Sequence, residues 1–471
     1  MVVPKLSLPI TTGGIIREEA IDESPENTVE WALNLNFDKI GVLQLRKGMT
    51  SLGDAIGNNT PILGMANYRN NAGTVYRQLA KMGTAVYAFN GTTWSNVRSG
   101  VNASSKARFA NFIDLTYMVN GNANESIQTF NGSTFGTSNI GSFTDGDFIE
   151  QYRSRIWVAD NSTDKLYYSD VVSSSQTLSG GTSFLQISPQ DGEKITGLKR
   201  HSRALLVFKN NHIYRVFSIN STDPDPSISR GTYSQESIVE TKAGIFYHHP
   251  TGFYEFVFDG QQREISRPII DIIKAIPRSY YDNVSGWQED DAVLWSVGDI
   301  TLDGVSFTNI VCRYTLSTQV WTVYSTANEI RCGGQYDNGT DIFNVVGDDD
   351  ATVSKWGVGD TDLGVSISYD LITHWEYFTN IRSDTKSMSE IGVLHENAQS
   401  GNITYQLDTD RPNEWRQIGS LKKALYETFN LNAQNFTRIR FRLSGHSSGS
   451  PFTFRGFEAL NMVTNGNLKK Y

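Results

Sequence analysis

The sequence predicts an all-β protein: a β-propeller of about seven blades, with six to eight compatible, followed by a C-terminal β-sandwich or jelly-roll-like domain. Three observations predict it. A degenerate hairpin repeat runs through roughly the first three quarters of the chain. The composition, with 41 glycines, 24 phenylalanines and 21 tyrosines in 471 residues, is that of short strands joined by polar turns. After Trp356 the repeat fades into a stretch of plain apolar–polar alternation.

The repeat is clearest where residues 86–94 and 127–135 align. Each copy is an alternating strand, an Asn-Gly pair (Asn90-Gly91, Asn131-Gly132), and an aromatic three residues on (Trp94, Phe135). Asn-Gly favours a tight hairpin because both residues tolerate positive φ, so both are expected at the centre of the turn. Weaker copies fall at 166–170, 213–217, 256–260, 311–321 and 351–356, the last two ending on Trp321 and Trp356. A short apolar run precedes most copies, at 115–119, 155–159, 204–208, 244–247, 292–296 and 342–346. Such runs fit strands covered on both faces, and they are read as the inner strands of the blades. One blade cannot bury its own faces, whereas radial stacking supplies a core. A large sandwich or a β-solenoid is the competing architecture.

One segment breaks the strand pattern. Between Pro268 and Pro277 isoleucines stand at 269, 270, 272, 273 and 276, the spacing of one face of a short helix. The 357–363 stretch is rich in Gly and Asp and marks a boundary. Six strands are expected beyond it, at 366–377, 388–395, 403–408, 414–418, 436–443 and 452–462. The division is an extended N-terminal arm over 1–33, a propeller over 34–362 and a sandwich over 363–471. The arm shows no period and is expected to order against another subunit.

The net charge of −9 opposes nucleic-acid binding through phosphate contacts, and no basic block stands out. No stretch has the length and apolarity of a membrane span, and the N-terminus lacks the pattern of a signal peptide, so synthesis and assembly in a cytoplasm are expected. Cys312 and Cys332 are expected as buried thiols on neighbouring strands. His248 and His249 are adjacent and on a strand would face opposite ways, which disfavours a shared metal. Asp348, Asp349 and Asp350 lack the alternating ligand spacing of a calcium loop and read as an acidic turn. No phosphate loop, nucleophile elbow or paired catalytic carboxylate is marked, so neither enzymatic activity nor a cofactor is expected.

Arg438, Arg440 and Arg442 alternate with apolar residues and give one strand a cationic face. That face is either solvated or the contact for an acidic neighbouring subunit. If the propeller instead bound or degraded glycans at a receptor-binding tip, Trp94, Trp321 and Trp356 would be the first platforms to consider, against a role in packing between blades.

Two stretches carry a family resemblance. The segment 34–50, an Asn-rich strand leading to Arg46-Lys47-Gly48-Met49-Thr50, resembles the N-terminal part of phage tail and virion propeller proteins. The order Ser266, Pro268, the Ile-rich helix and then Val293-Leu294-Trp295 is similar to tail-stabilisation proteins of short-tailed bacteriophages. The alternation at 405–410 and 438–443 matches in style. The resemblance implies a structural virion protein, a tail hub or nozzle subunit. It implies association with itself into a hexameric ring below the head–tail adaptor, contacts with other tail proteins, and DNA passing nearby without sequence-specific binding.

Overall fold

The computed structural model describes residues 2–3, 6–8, 13–17, 27–121, 125–137, 146–171, 183–189, 191–201, 203–219, 221–224, 230–257, 261–378, 382–396, 400–411, 414–422, 425–447 and 452–465. Five separate four-stranded antiparallel sheets follow one another: blade 1 (62–99), blade 2 (108–137), blade 3 (148–186), blade 4 (195–224) and blade 5 (239–264). Blade 6 (285–325) has the same meander. Blade 7 has three strands of its own, Ile330–Asp337, Ile342–Asp348 and Val353–Trp356. Its fourth is Met49–Ser51, which pairs antiparallel with Val353–Trp356 as Ser51↔Ser354, Thr50↔Lys355 and Met49↔Trp356. The chain therefore closes its propeller by lending an early strand to the last blade. Closure removes the edge that an open stack would expose.

The apolar runs are the second strand of their blades rather than the innermost. Leu115–Val119, Arg155–Ala159, Ala204–Lys209 and Ile245–His249 are buried along nearly their whole length, because neighbouring blades cover both faces. The innermost strands are half-exposed and mixed in polarity, as Arg108–Phe112 and Ser285–Glu289 show. They face the axis, so no apolar run marks them in the sequence.

The hairpin turns also differ from expectation. In Asn90-Gly91-Thr92-Thr93 the Asn90 N–H donates to the Thr93 carbonyl, so Gly91 and Thr92 are the central pair. Gly91 takes the positive φ, at +101°. Asn90 stands one place earlier, and its Oδ1 accepts from the N–H of Thr92 and Thr93, both at 2.9 Å. Asn131-Gly132-Ser133-Thr134 repeats this geometry, and Asn338-Gly339-Thr340-Asp341 supplies a third copy. The turn residues 258–260 expected in blade 5 lie outside the described residues.

The isoleucine segment forms a 3-10 turn at Arg267–Ile269 and a helix at Ile270–Ala275. Ile269, Ile272, Ile273 and Ile276 are buried in one cluster with Trp295 and Val297 of blade 6.

The remaining described strands form two arrays, of which the second is continuous with blades 6 and 7 in one 14-stranded sheet, through Val29–Leu33 beside Val320–Ser325 and Thr361–Asp362 beside Met49–Ser51. In the first the order is Tyr426–Phe436, Thr385–Glu396, Thr453–Asn465, Val42–Leu45 and Leu35–Lys39. In the second it is Arg416–Leu421, Ser400–Leu407, Ile439–Ser447, Val365–Thr373 and Val29–Leu33. Their apolar sides share one buried cluster, in which Tyr369 stacks on Phe452 at 4.4 Å and Phe441 meets Phe457 at 5.3 Å. Among the described residues seven strands follow residue 363 rather than six. The missed one, Tyr426–Phe436, shows solvent Thr428, Asn430, Asn432 and Gln434, which hide its alternation among polar residues.

Strand pairing crosses the linear division at 33/34 and 362/363. Residues 29–45 pair with strands beyond 363, not with the blades around them in sequence. The arm folds on its own chain: Val2–Val3 and Leu6–Leu8 pair antiparallel with Thr453–Asn465, as Val2↔Val463 and Leu8↔Phe457. Alternation reveals that a strand exists but not which distant strand it pairs with. Among the described residues no helix is long and apolar enough to cross a membrane.

Candidate functional site

Among the described residues several places bury charge or leave hollow space, including a cleft of about 420 Å³ beside Arg440 and Arg442 and the Lys209–Asp164–Asp191 cluster; three more lie on the propeller and its junction. The first is where propeller and terminal sheets meet, and it is built from the 34–50 segment. Asn34 is left-handed (φ +60°). Its Nδ2 donates to the Ser368 carbonyl at 2.7 Å, and its Oδ1 accepts from Ser325 N–H at 2.9 Å and Arg46 Nε at 2.7 Å. Arg46 is buried and uses all five donors. Beyond Asn34 they reach the carbonyls of Lys47 and Ser325 and both carboxylate oxygens of Asp362. Its guanidinium also lies 5.6 Å from the Tyr324 ring and 5.7 Å from Trp356. Two residues on, a Cβ on Gly48 would stand 2.0 Å from the Thr361 carbonyl oxygen, so only glycine fits. This clasp binds blade 6, blade 7 and the second terminal sheet at one point.

The second is the propeller axis. Between blades 4 and 5 a 3-10 turn, Gln235–Ser237, carries Glu236 to Lys106 and Arg108 on the blade 2 side. Arg108 Nε donates to Oε1 at 2.7 Å and Lys106 Nζ to Oε2 at 3.1 Å. Burial pushes the Glu236 carboxyl up, but Arg108 and Lys106 outweigh it and hold it well below the usual range. A funnel of about 610 Å³ opens above this clamp, between Lys106, Asp147, Glu193, Lys194, Tyr233 and Asp282. Both signs of charge line it. The third place, a hollow of about 290 Å³, lies further along the same inner strands.

The cationic strand face packs against two tryptophans and borders a cleft of about 420 Å³. Arg440 lies 4.7 Å from the Trp375 ring and 5.1 Å from Trp415. Arg438 covers Trp375 at 4.7 Å, and Arg442 lies 5.8 Å from Trp415. Arg440 is also paired with Glu30 and Gln406, and Arg442 with Asp370 at 2.7 Å. The row forms an arginine–tryptophan ladder in which Arg440 and Arg442 also hold carboxylate partners within the chain. Sequence reading overlooked Trp375 and Trp415, whose only signal is two tryptophans outside the repeat.

Trp94, Trp321 and Trp356 do not meet in any funnel. Trp321 and Trp356 are 1% and 5% exposed, which leaves no face for a sugar. Trp321 Nε1 donates to the Ile265 carbonyl and Trp356 Nε1 to Glu289, each at 2.8 Å. Trp94 is half-buried against Phe89, and its Nε1 donates to the Leu52 carbonyl at 2.8 Å. All three pack between strands.

Cys312 and Cys332 are free, buried thiols on blades 6 and 7, both pushed up to about 12 by burial. Their strands are not paired neighbours. Asp348 Oδ1 accepts the N–H of Asp350 and Thr352, which makes the acidic run a turn. Among the described residues no group of three or more His, Cys, Asp or Glu is placed to hold a metal ion.

No protein-family model matches the chain, and no curated protein matches it in sequence. Among solved structures the chain is similar to the computationally designed Ika8 protein, at 11% identity and TM-score 0.41, covering 65% of this chain and 99% of that one. It is similar to the Neurospora crassa Pan2 WD40 domain, at 10% identity and TM-score 0.42, covering 66% and 95%. The extracellular domain of a putative one component system from B. thetaiotaomicron shares 12% identity at TM-score 0.44, covering 93% of this chain and 63% of that one. The propeller assignment itself rests on the five separate four-stranded sheets, on blades 6 and 7, and on the strand Met49–Ser51 that completes blade 7.

Proposed function

We propose that this chain is a structural, non-catalytic subunit of a short bacteriophage tail: a hub or nozzle protein that associates into a ring, six copies in number, below the head–tail adaptor. The observation that carries the reading is the clasp. The residues that carry the resemblance, from Asn34 to Thr50, are spent on joining blades to terminal sheets and closing the last blade. A segment used this way has an architectural role. On this reading the two terminal sheets are a β-sandwich rigidly mounted on the propeller.

The ring's own axis, between copies, is then the path for DNA. The axis of each propeller is narrowed by the Glu236 clamp. The net charge of −9 opposes adhesion to phosphates along such a path. The protein would reside in the virion after assembly in the bacterial cytoplasm. The test is to assemble particles from a phage genome lacking this chain. The proposal expects filled heads that leak their DNA; infectious particles that retain it contradict the proposal.

A further inference from the structure

We infer that copies of this chain join head to tail, a basic sector on one face of the propeller docking on an acidic sector on the opposite face of the next copy. The inference rests on the ring reading and adds the surfaces that close the ring.

Each blade begins with its innermost strand and meanders outward. The turns from first to second strand therefore lie on one face of the propeller, and those from second to third on the other. On the first face the turns of blades 3 and 4 meet. Tyr152 Oη donates to the Arg203 carbonyl, and Arg200 Nη1 donates to Gln151 Oε1 at 2.9 Å. This sector exposes Arg153, Arg200 and Arg203 and half-buries Arg155. Neutral groups hold three of these guanidiniums: the Tyr152 ring for Arg153, the Ser169 carbonyl and Tyr168 ring for Arg155, and the Gln151 amide for Arg200. Glu150 and Asp170 stand beside them, so the excess is cationic in a chain whose net charge is −9. Like charges crowded in this way favour an anionic partner surface.

On the opposite face blades 6 and 7 bring carboxylates together. Asp299 lies toward the end of the second strand of blade 6, Asp349 and Asp350 sit in the turn from second to third strand of blade 7, and Glu329 leads into that blade. The Glu329 N–H donates to Asp349 Oδ1 at 3.0 Å. Burial pushes the Glu329 carboxyl up, and the charges of Asp349 and Asp299 push it further. Arg331 pairs with Glu329 at 2.9 Å, while Asp299 and Asp350 are exposed.

Copies that share one orientation around a ring can join only unlike surfaces. These two sectors carry opposite charge on opposite faces, and blades 3 and 4 stand across the axis from blade 7, so each copy can engage two neighbours at once. Asp290, Asp291 and Asp341 lie on the same face as the arginines, in the turns from first to second strand of blades 6 and 7. Only a face-to-face pair would bring them to the arginines, and such a pair closes at two copies.

The test is the mass of the full chain by light scattering, alone or on the partner ring if assembly needs one, with the melting temperature showing that each variant folds. Arg153→Glu with Arg200→Glu should reduce the ring to monomers, and so should Asp299→Lys with Asp350→Lys. Mixing the two variants should restore the ring, because each reversed surface then meets its complement. If a reversed variant fails to fold, the neutral Arg153→Gln with Arg200→Gln should still weaken assembly. High salt should loosen the native ring. Asp290→Asn with Asp341→Lys should leave it intact. A ring that tolerates either reversal, a mixture of folded variants that stays monomeric, or a ring lost on Asp290→Asn with Asp341→Lys overturns this contact and leaves the ring reading in place. A native chain that is monomeric alone and with its virion partners overturns the ring reading, and this contact with it.

Discussion

His248 lies fully buried in blade 5, between the rings of Phe253 and Tyr281, and neither ring nitrogen has a hydrogen-bond partner among the described residues. Burial, then the neighbouring His249, lower its pKa to about 3. Burial and Arg230 lower that of His249 to about 4. Both therefore stay neutral in the fold while the unfolded chain gains protons below about pH 6.5. Stability is fully present above that value and lost as pH falls toward the folded values, by about 2 kcal/mol per histidine at pH 5. Glu236 adds a further loss below the ordinary carboxylate range, because its folded pKa is depressed. Glu376 works the other way, because burial raises its carboxyl to about 7 and its protonation offsets part of this loss. The histidine contribution is therefore read by comparison: the urea midpoint of His248→Phe should fall less between pH 7.5 and pH 5 than that of the native chain, and equal changes in the two would refute this account. From sequence the two histidines read only as facing apart. The isolation of His248 depends on Phe253, its cross-strand partner in the hairpin, and on Tyr281, which no local pattern brings to it. The arginine triplet was legible as a face but not as a ladder, since Trp375 and Trp415 arrive from other strands.

At the scale of elements, the second strands were the easiest to read because burial on both faces makes them continuously apolar. The innermost strands were hidden by their polar, axis-facing side chains. The Asn-Gly pairs correctly marked hairpins at 90–91 and 131–132, but the turn type followed from a side-chain bond. Asn Oδ1 captures two N–H groups, which moves Gly to the first central position. Closure by Met49–Ser51 was invisible, because three residues carry too little pattern to declare a partner about 300 residues away. That closure depends on Arg46 beside it. Arg46→Lys keeps the charge but cannot reach Asn34, Ser325 and both Asp362 oxygens from one nitrogen. It should cost about 3 kcal/mol and lower the melting temperature by several degrees. Hydrogen exchange should rise at 353–356, where the closing strand is held. An unchanged melting temperature would mean that the clasp is not what joins these parts.

At the scale of the whole molecule, both chain ends are consumed in the same two sheets, and the early strands 29–51 belong partly to those sheets and partly to blade 7. The all-β class and the propeller were legible because repetition is a local signal that adds up. The domain limits were not, because they are set by pairings between the ends of the chain. A body so cross-tied, with its arm paired along the Thr453–Asn465 strand, suits a building block. Whether it builds a ring is decided most directly by its mass in solution, measured by light scattering on the purified chain alone and mixed with the virion proteins encoded alongside it. A mass of about six copies, or a complex that forms only on a symmetric partner ring, is the predicted result. A monomer under every condition would contradict it.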